Sequence, residues 1–107
     1  MSSALVIQHG DLTIDMANYR VLLGRTPVAL TYREYALLVY LASHAGHAVS
    51  KRRLLEEGLG RHDYGGLRAV EELIRTLKGK LERDGRLLIV EDSPAEGYRF
   101  TPPHAFA

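Results

Sequence analysis

The chain contains no cysteine, which removes disulfides, thiol nucleophiles and thiolate metal sites and agrees with a reducing compartment. The cytoplasm is the expected location. Also missing is any apolar run approaching the roughly 20 residues of a membrane span. The first residues, Met1-Ser2-Ser3-Ala4, lack the basic region and apolar stretch of a signal peptide. No membrane partner is expected. Nor is there a strong charge of one sign: 14 Lys and Arg stand against 13 Asp and Glu, a formal net charge of +1. Composition alone therefore nominates no polyanionic partner.

Catalytic and metal chemistry are equally thin. The five histidines, His9, His44, His47, His62 and His104, are scattered over turns and termini. Only His44 and His47 are close, and Ala45-Gly46 between them breaks a common helix face. Glu56-Glu57 and Glu71-Glu72 are adjacent pairs, which diverge by about 100° on a helix and do not converge on one substrate atom. No serine has a base and an orienting acid in motif context. The glycine-rich stretch 58–66, GLGRHDYGG, matches neither a P-loop nor a dinucleotide fingerprint. The expectation is a protein without enzymatic activity, metal or cofactor.

What is present is a single domain's worth of chain, 107 residues, with a patterned order of elements. Leu5 and Ile7, then Leu12, Ile14 and Met16, alternate with polar or small residues around His9-Gly10-Asp11, which predicts a hairpin. A third run, 19–24, leads through Gly24-Arg25-Thr26-Pro27 to a fourth at 28–30. The prediction is a four-stranded antiparallel sheet over about 4–30. Thr31, followed three residues later by Glu34, fits a capping box opening a helix over about 31–45, with Tyr35, Leu38, Leu41 and Ala42 buried. Ser50 caps a second helix over about 50–57, with Leu54 and Leu55 inside and Gly58 and Gly60 stopping it.

Lys51, Arg52 and Arg53 occupy the first turn of that second helix, where cations oppose the helix dipole unless something negative lies nearby. Two readings stay open, a phosphate partner and a solvated basic cluster.

The third helix, about 66–84, is the most informative stretch. Val70, Leu73, Ile74, Leu77 and Leu81 recur at helical spacing and form its core stripe. The opposite face carries Arg68, Glu72, Arg75, Thr76 and Gly79, flanked by Glu71 and Lys78. A turn at Asp84-Gly85-Arg86, the apolar run 87–90, a turn-rich segment 92–97 and Tyr98-Arg99-Phe100 then give a hairpin over about 87–101. A long helix leading into a hairpin is the layout of a winged helix. The fold class is α+β. Charge follows the same division: residues 51–86 hold ten Lys or Arg against seven Asp or Glu, whereas 87–107 hold Glu91, Asp92 and Glu96 against Arg99 alone.

These residues resemble the winged-helix effector domain of OmpR/PhoB-type bacterial response regulators. The likeness runs from about residue 4 to 101 through four places: 30–38 (LTYREYALL), 46–51 (GHAVSK), Arg68-Ala69-Val70-Glu71 with Ile74, Arg75 and Leu77, and 97–100 (GYRF). The family implies a third helix in the major groove of promoter DNA and a wing reaching an adjacent minor groove. Matched residue by residue, Arg68 falls on a phosphate-contacting Arg, Arg75 on a basic residue pointing at bases or backbone, Glu71 on a usual Asp and Lys78 on a usual Arg; the expected base contacts are Glu71, Glu72, Arg75 and Thr76, and the expected phosphate contacts Ser50, Lys51, Arg52, Arg68 and Lys78. Loop 58–66 corresponds to a region through which family members touch RNA polymerase, and a homodimer on paired half-sites is compatible with the weak charge of one module.

The chain also departs from the family pattern. Glu72, Leu73 and Thr76 replace an apolar residue, a His and an Arg; Gly79 replaces a basic position; Pro94 stands where a wing arginine is usual. The expectation is a module without a receiver domain. Two functions follow as alternatives: a sequence-specific double-stranded DNA binder acting in transcription, and a protein-interaction module that keeps the fold with weakened DNA binding.

Overall fold

The computed structural model describes residues 5–60, 65–82, 90–93 and 96–101. Strands β1 (Val6–His9), β2 (Leu12–Asp15), β3 (Arg20–Leu23) and β4 (Thr26–Pro27) form an antiparallel sheet in sequential order. Two-residue turns fix its register: His9 pairs with Leu12 across Gly10-Asp11, and Leu23 with Thr26 across Gly24-Arg25. Gly10 and Gly24 sit at φ 57° and 65°, the left-handed conformation that such tight turns demand. The second turn corrects the sequence expectation, because pairing at Thr26 places the fourth strand at 26–27 and not at 28–30. Pro27 has no N–H to give and takes an edge strand, where none is needed. Leu12 and Ile14 of β2 are completely buried, the inward half of a period-two pattern.

Helix α1 (Tyr32–Ser43) begins with the expected capping box. The Glu34 amide donates to Thr31 Oγ1 at 3.2 Å, and the Thr31 amide donates to Glu34 Oε1 at 2.8 Å. Its inward stripe is Glu34, Tyr35, Leu37, Leu38, Leu41 and Ala42, so Leu37 and Glu34 join the four residues predicted. Helix α2 (Lys51–Arg53), capped by Ser50 Oγ accepting from the Arg53 amide at 3.1 Å, widens into a π-helical stretch, Leu54–Leu59. Gly58 lies inside this stretch and does not end it: an added Cβ would meet Leu37 Cδ2 at 3.2 Å, so the missing side chain lets the turn lie close on α1. Gly60, at φ 105°, is the stop.

Helix α3 (Gly66–Leu81) ends at Leu81, with Glu82 as its cap. The predicted continuation through 83 and 84, the turn at 84–86, residues 87–89 of the apolar run and the wing residue Pro94 lie outside the described residues. Strands β6 (Val90–Ser93) and β7 (Gly97–Phe100) form the C-terminal hairpin, and a short strand β5 (Ala48–Val49) adds to β7 in the order β5-β7-β6. This third partner has no signature in the sequence, since two residues between a turn and a helix cap show no periodicity. One core joins the parts, with Leu12, Ile14, Leu38, Leu41, Leu54, Val70, Leu77 and Phe100 all buried at its centre.

Candidate nucleic-acid interface

Burial of Val70, Ile74, Leu77 and Leu81 fixes the rotation of α3 about its axis. Arg68, Glu72, Arg75 and Gly79 fall on the far side at steps of four, three and four residues, and all are exposed. Among the described residues, no carboxylate forms an ion pair with Arg68, Arg75 or Lys78. These are the cations of α3 that are open to an anionic partner.

The two flanks of α3 are committed differently. Toward α2, Glu71 accepts from Lys51 Nζ at 2.5 Å. That bond holds the Glu71 carboxyl below, and the Lys51 ammonium above, their ordinary values. Toward α1, Thr76 Oγ1 donates to Glu34 Oε2 at 2.5 Å and Lys80 Nζ donates to Glu34 Oε1 at 2.7 Å. The hydroxyl of Thr76 is thus turned to the flank facing α1, away from the open stripe where the sequence expectation grouped it. The physical reason is the buried Glu34 carboxylate, which draws the two donors one turn apart on the same side of α3. Burial raises the Glu34 pKa, but hydrogen bonds from Lys80, Thr76 and the Thr31 amide outweigh it and hold the group ionised below its usual range.

Between α3 and the hairpin lies an open cleft of about 420 Å³, lined by Lys51, Glu71, Arg75, Lys78, Asp92 and Tyr98 together with Ile74. Tyr98, 4% exposed, forms part of its floor. Burial, and then Asp92, raise its phenol pKa. On the hairpin Arg99 pairs with Glu91 at 3.7 Å and with Glu96 at 3.5 Å, so the cation of this segment is answered by its own carboxylates.

The first turn of α2 follows the same rule. Arg52 pairs with Glu56 at 3.6 Å and Arg53 with Glu57 at 3.8 Å, while Arg53 also donates to the Tyr40 hydroxyl at 2.9 Å. The negative charge that the sequence calls for beside Lys51, Arg52 and Arg53 is present within the chain. Of the nine expected contact residues, Arg68, Glu72, Arg75 and Lys78 are brought together without intramolecular ion pairs among the described residues. Ser50, Lys51, Arg52, Glu71 and Thr76 are adjacent but already engaged. Sequence reasoning missed the Glu34 hub and Tyr98; the spacing of Thr76 and Lys80, four apart on one flank, was the available signal for the first.

Among the described residues no helix is long and apolar enough to cross a membrane, and no three His, Cys, Asp or Glu side chains gather as a metal site.

The family described as "Transcriptional regulatory protein, C terminal" matches residues 25–100. The two-component response regulator PhoP of Pseudomonas aeruginosa is 34% identical over 95 residues, 89% of this chain and 42% of that protein. The phosphate regulon transcriptional regulatory protein PhoB of Escherichia coli is 31% identical over 96 residues, 90% of this chain and 42% of its own length. The chain thus spans less than half the length of these relatives. In structure it is similar to the RstA DNA-binding domain of Klebsiella pneumoniae, solved in complex with the RstA box, with TM-score 0.79, 34% identity, and 91% and 97% of the two chains covered. The winged-helix architecture and the matched span together place this chain in the OmpR/PhoB-type family of transcriptional regulatory protein C-terminal domains.

Proposed function

We propose that this chain binds double-stranded promoter DNA sequence-specifically in transcription regulation, without enzymatic activity and in the cytoplasm. In this reading α3 lies in the major groove and the β6–β7 hairpin beside it. The observation that carries it is the exposed stripe Arg68-Glu72-Arg75-Gly79, whose two arginines form no ion pair among the described residues. Arg75, at the middle of the stripe, is the base reader: a bidentate arginine on guanine discriminates by about 1–3 kcal/mol. Glu72 accepts from a cytosine amino group. Arg68 and Lys78 hold the phosphate backbone, joined by Ser50, Lys51 and Arg52 once their internal partners are displaced. Glu71 and Thr76 are held by Lys51 and Glu34, and the reading of bases rests on Arg75 and Glu72.

The test compares single variants on one preferred duplex and a set of its point variants. Arg75→Ala is expected to flatten preference at one base pair. Arg68→Ala is expected to weaken all sequences alike and to reduce the salt slope by about 1. Identical effects of the two on every sequence would remove the assignment of roles.

A protein partner is favoured by one specific feature, the exposed carboxylates Glu91, Asp92 and Glu96 on the hairpin, which repel a phosphate backbone. Contact with RNA polymerase through 58–66, of which 61–64 lie outside the described residues, and a homodimer on paired half-sites complete the proposal. Retention of a polymerase subunit by the wild type that is unchanged on altering 58–60 and 65–66 would contradict the first. Binding to a single half-site and to paired half-sites with equal affinity would contradict the second.

A further inference from the structure

The cations near the α3 stripe divide into two sets. Arg68, Arg75 and Lys78 have no ion-pair partner among the described residues. Lys51, Arg52, Arg53 and Arg99 are each met by a carboxylate of the same chain, at 2.5, 3.6, 3.8 and 3.5 Å. The Lys51–Glu71 pair differs from the other three in two respects. It is the shortest of the four, and both its residues, one on α2 and one on α3, line the cleft between α3 and the hairpin. Both side chains are solvent-accessible, at 36% and 48%, so an incoming anion can reach the pair.

We infer that Glu71 is a specificity-determining residue that acts through Lys51, as an internal competitor for the phosphate that Lys51 would otherwise bind. The inference rests on the DNA-binding reading above. A phosphate reaching Lys51 competes with the Glu71 carboxylate for the ammonium's charge and donors. When α3 is seated on its preferred sequence, the contacts of Arg75 and Arg68 hold the duplex in register, and the phosphate facing Lys51 is presented at high effective concentration. A loosely bound, sliding duplex presents no phosphate in fixed register, and there the carboxylate keeps its cation. Glu71 therefore suppresses nonspecific binding more than specific binding, and it does so at one cation, because the displaced counterions of that contact are what the nonspecific term depends on. The low net charge and the carboxylate-bearing hairpin act in the same direction.

The experiment measures binding of a random-sequence duplex and a selected preferred duplex at several salt concentrations. It uses the wild type, Glu71→Gln, Lys51→Gln, the double variant, and Asp11→Asn, which makes the same charge change in the β1–β2 turn. Glu71→Gln is expected to raise affinity for random duplex about tenfold at low salt and to steepen its salt slope by about 1. The preferred duplex is expected to gain less than threefold, so the specificity ratio falls. In the Lys51→Gln background the Glu71 substitution is expected to add no more than Asp11→Asn does. An equal gain in that background, or an equal gain from Asp11→Asn, would show a general charge effect and overturn the inference. Failure of all five folded proteins to retain either duplex would instead overturn the DNA-binding reading itself, and this inference with it.

Discussion

Removing the ammonium of Lys80 with Lys80→Met, which keeps most of the aliphatic stem, isolates what holds α3 to the start of α1. Glu34 is 3% exposed and accepts from Lys80 Nζ at 2.7 Å, Thr76 Oγ1 at 2.5 Å and the Thr31 amide at 2.8 Å. Without Lys80 a buried carboxylate keeps two neutral donors and no cation. A hydrogen bond between charged groups contributes about 1.5–3 kcal/mol. Because the Lys80 side chain is 39% exposed, water replaces part of it, and the expected loss is about 1–2 kcal/mol. For a domain of this size that corresponds to a fall in Tm of about 5–15 °C. Thr76→Val is expected to cost about 1 kcal/mol; independent donors would put the double variant within about 0.5 kcal/mol of the sum, whereas a departure of about 1 kcal/mol from it is expected because both serve one carboxylate. Urea denaturation of the four proteins gives the numbers. The sign with pH is set by the depressed folded pKa of Glu34: its contribution is complete above the unfolded glutamate value and is lost as pH falls through the folded one. The gap between wild type and Lys80→Met should therefore close in acid. A Lys80→Met protein within about 0.5 kcal/mol of wild type at neutral pH, or a gap that does not change with pH, would refute the network as an energetic link.

Three further outcomes follow from particular positions. Gly97→Ala is expected to destabilise by at least about 3 kcal/mol, since the glycine sits at φ 109° and an added Cβ would lie 2.1 Å from the Val49 carbonyl oxygen, prying β5 from β7; thermal denaturation checks it. Gly79→Ala is expected to stabilise by about 1 kcal/mol, because the site is a helix interior where a new Cβ meets nothing within 4 Å beyond its own stretch of helix, and a lower Tm would contradict that. Gly79→Lys at the same open position is expected to raise affinity for random duplex and to steepen the salt slope by about 0.9, read by fluorescence anisotropy; an unchanged slope would place position 79 off the DNA.

Much of this molecule is legible from local rules. The Thr31–Glu34 capping box, the Ser50 cap, the β1–β2 hairpin and the core stripe of α3 all follow from short-range chemistry that the sequence spells out within a few residues. What was not legible depends on partners far away in the chain. The Glu34 side chain reads as a cap, yet its other acceptor oxygen is claimed by Thr76, 42 residues on. Thr76 reads as part of an open face because the helical wheel does not contain that carboxylate. Lys51, Arg52 and Arg53 read as charges in search of an anion, and the chain supplies its own at Glu71, Glu56 and Glu57. Strand β5 pairs with β7, far along the chain, and the π-helical stretch lies close on α1 at Gly58, beside Leu37 and Tyr40. The fold is written in periodicity; the free charges of the surface are decided by tertiary pairing.

Selection from a pool of random duplexes, with sequencing of the retained fraction for wild type and Arg75→Ala at two salt concentrations, tests the central claim most directly. The account predicts an enriched motif for the wild type, a shallow salt dependence, and loss of preference at one base pair in the variant. A folded wild type that enriches no sequence at low salt would contradict it, and would leave the hairpin carboxylates and a protein partner as the basis of function.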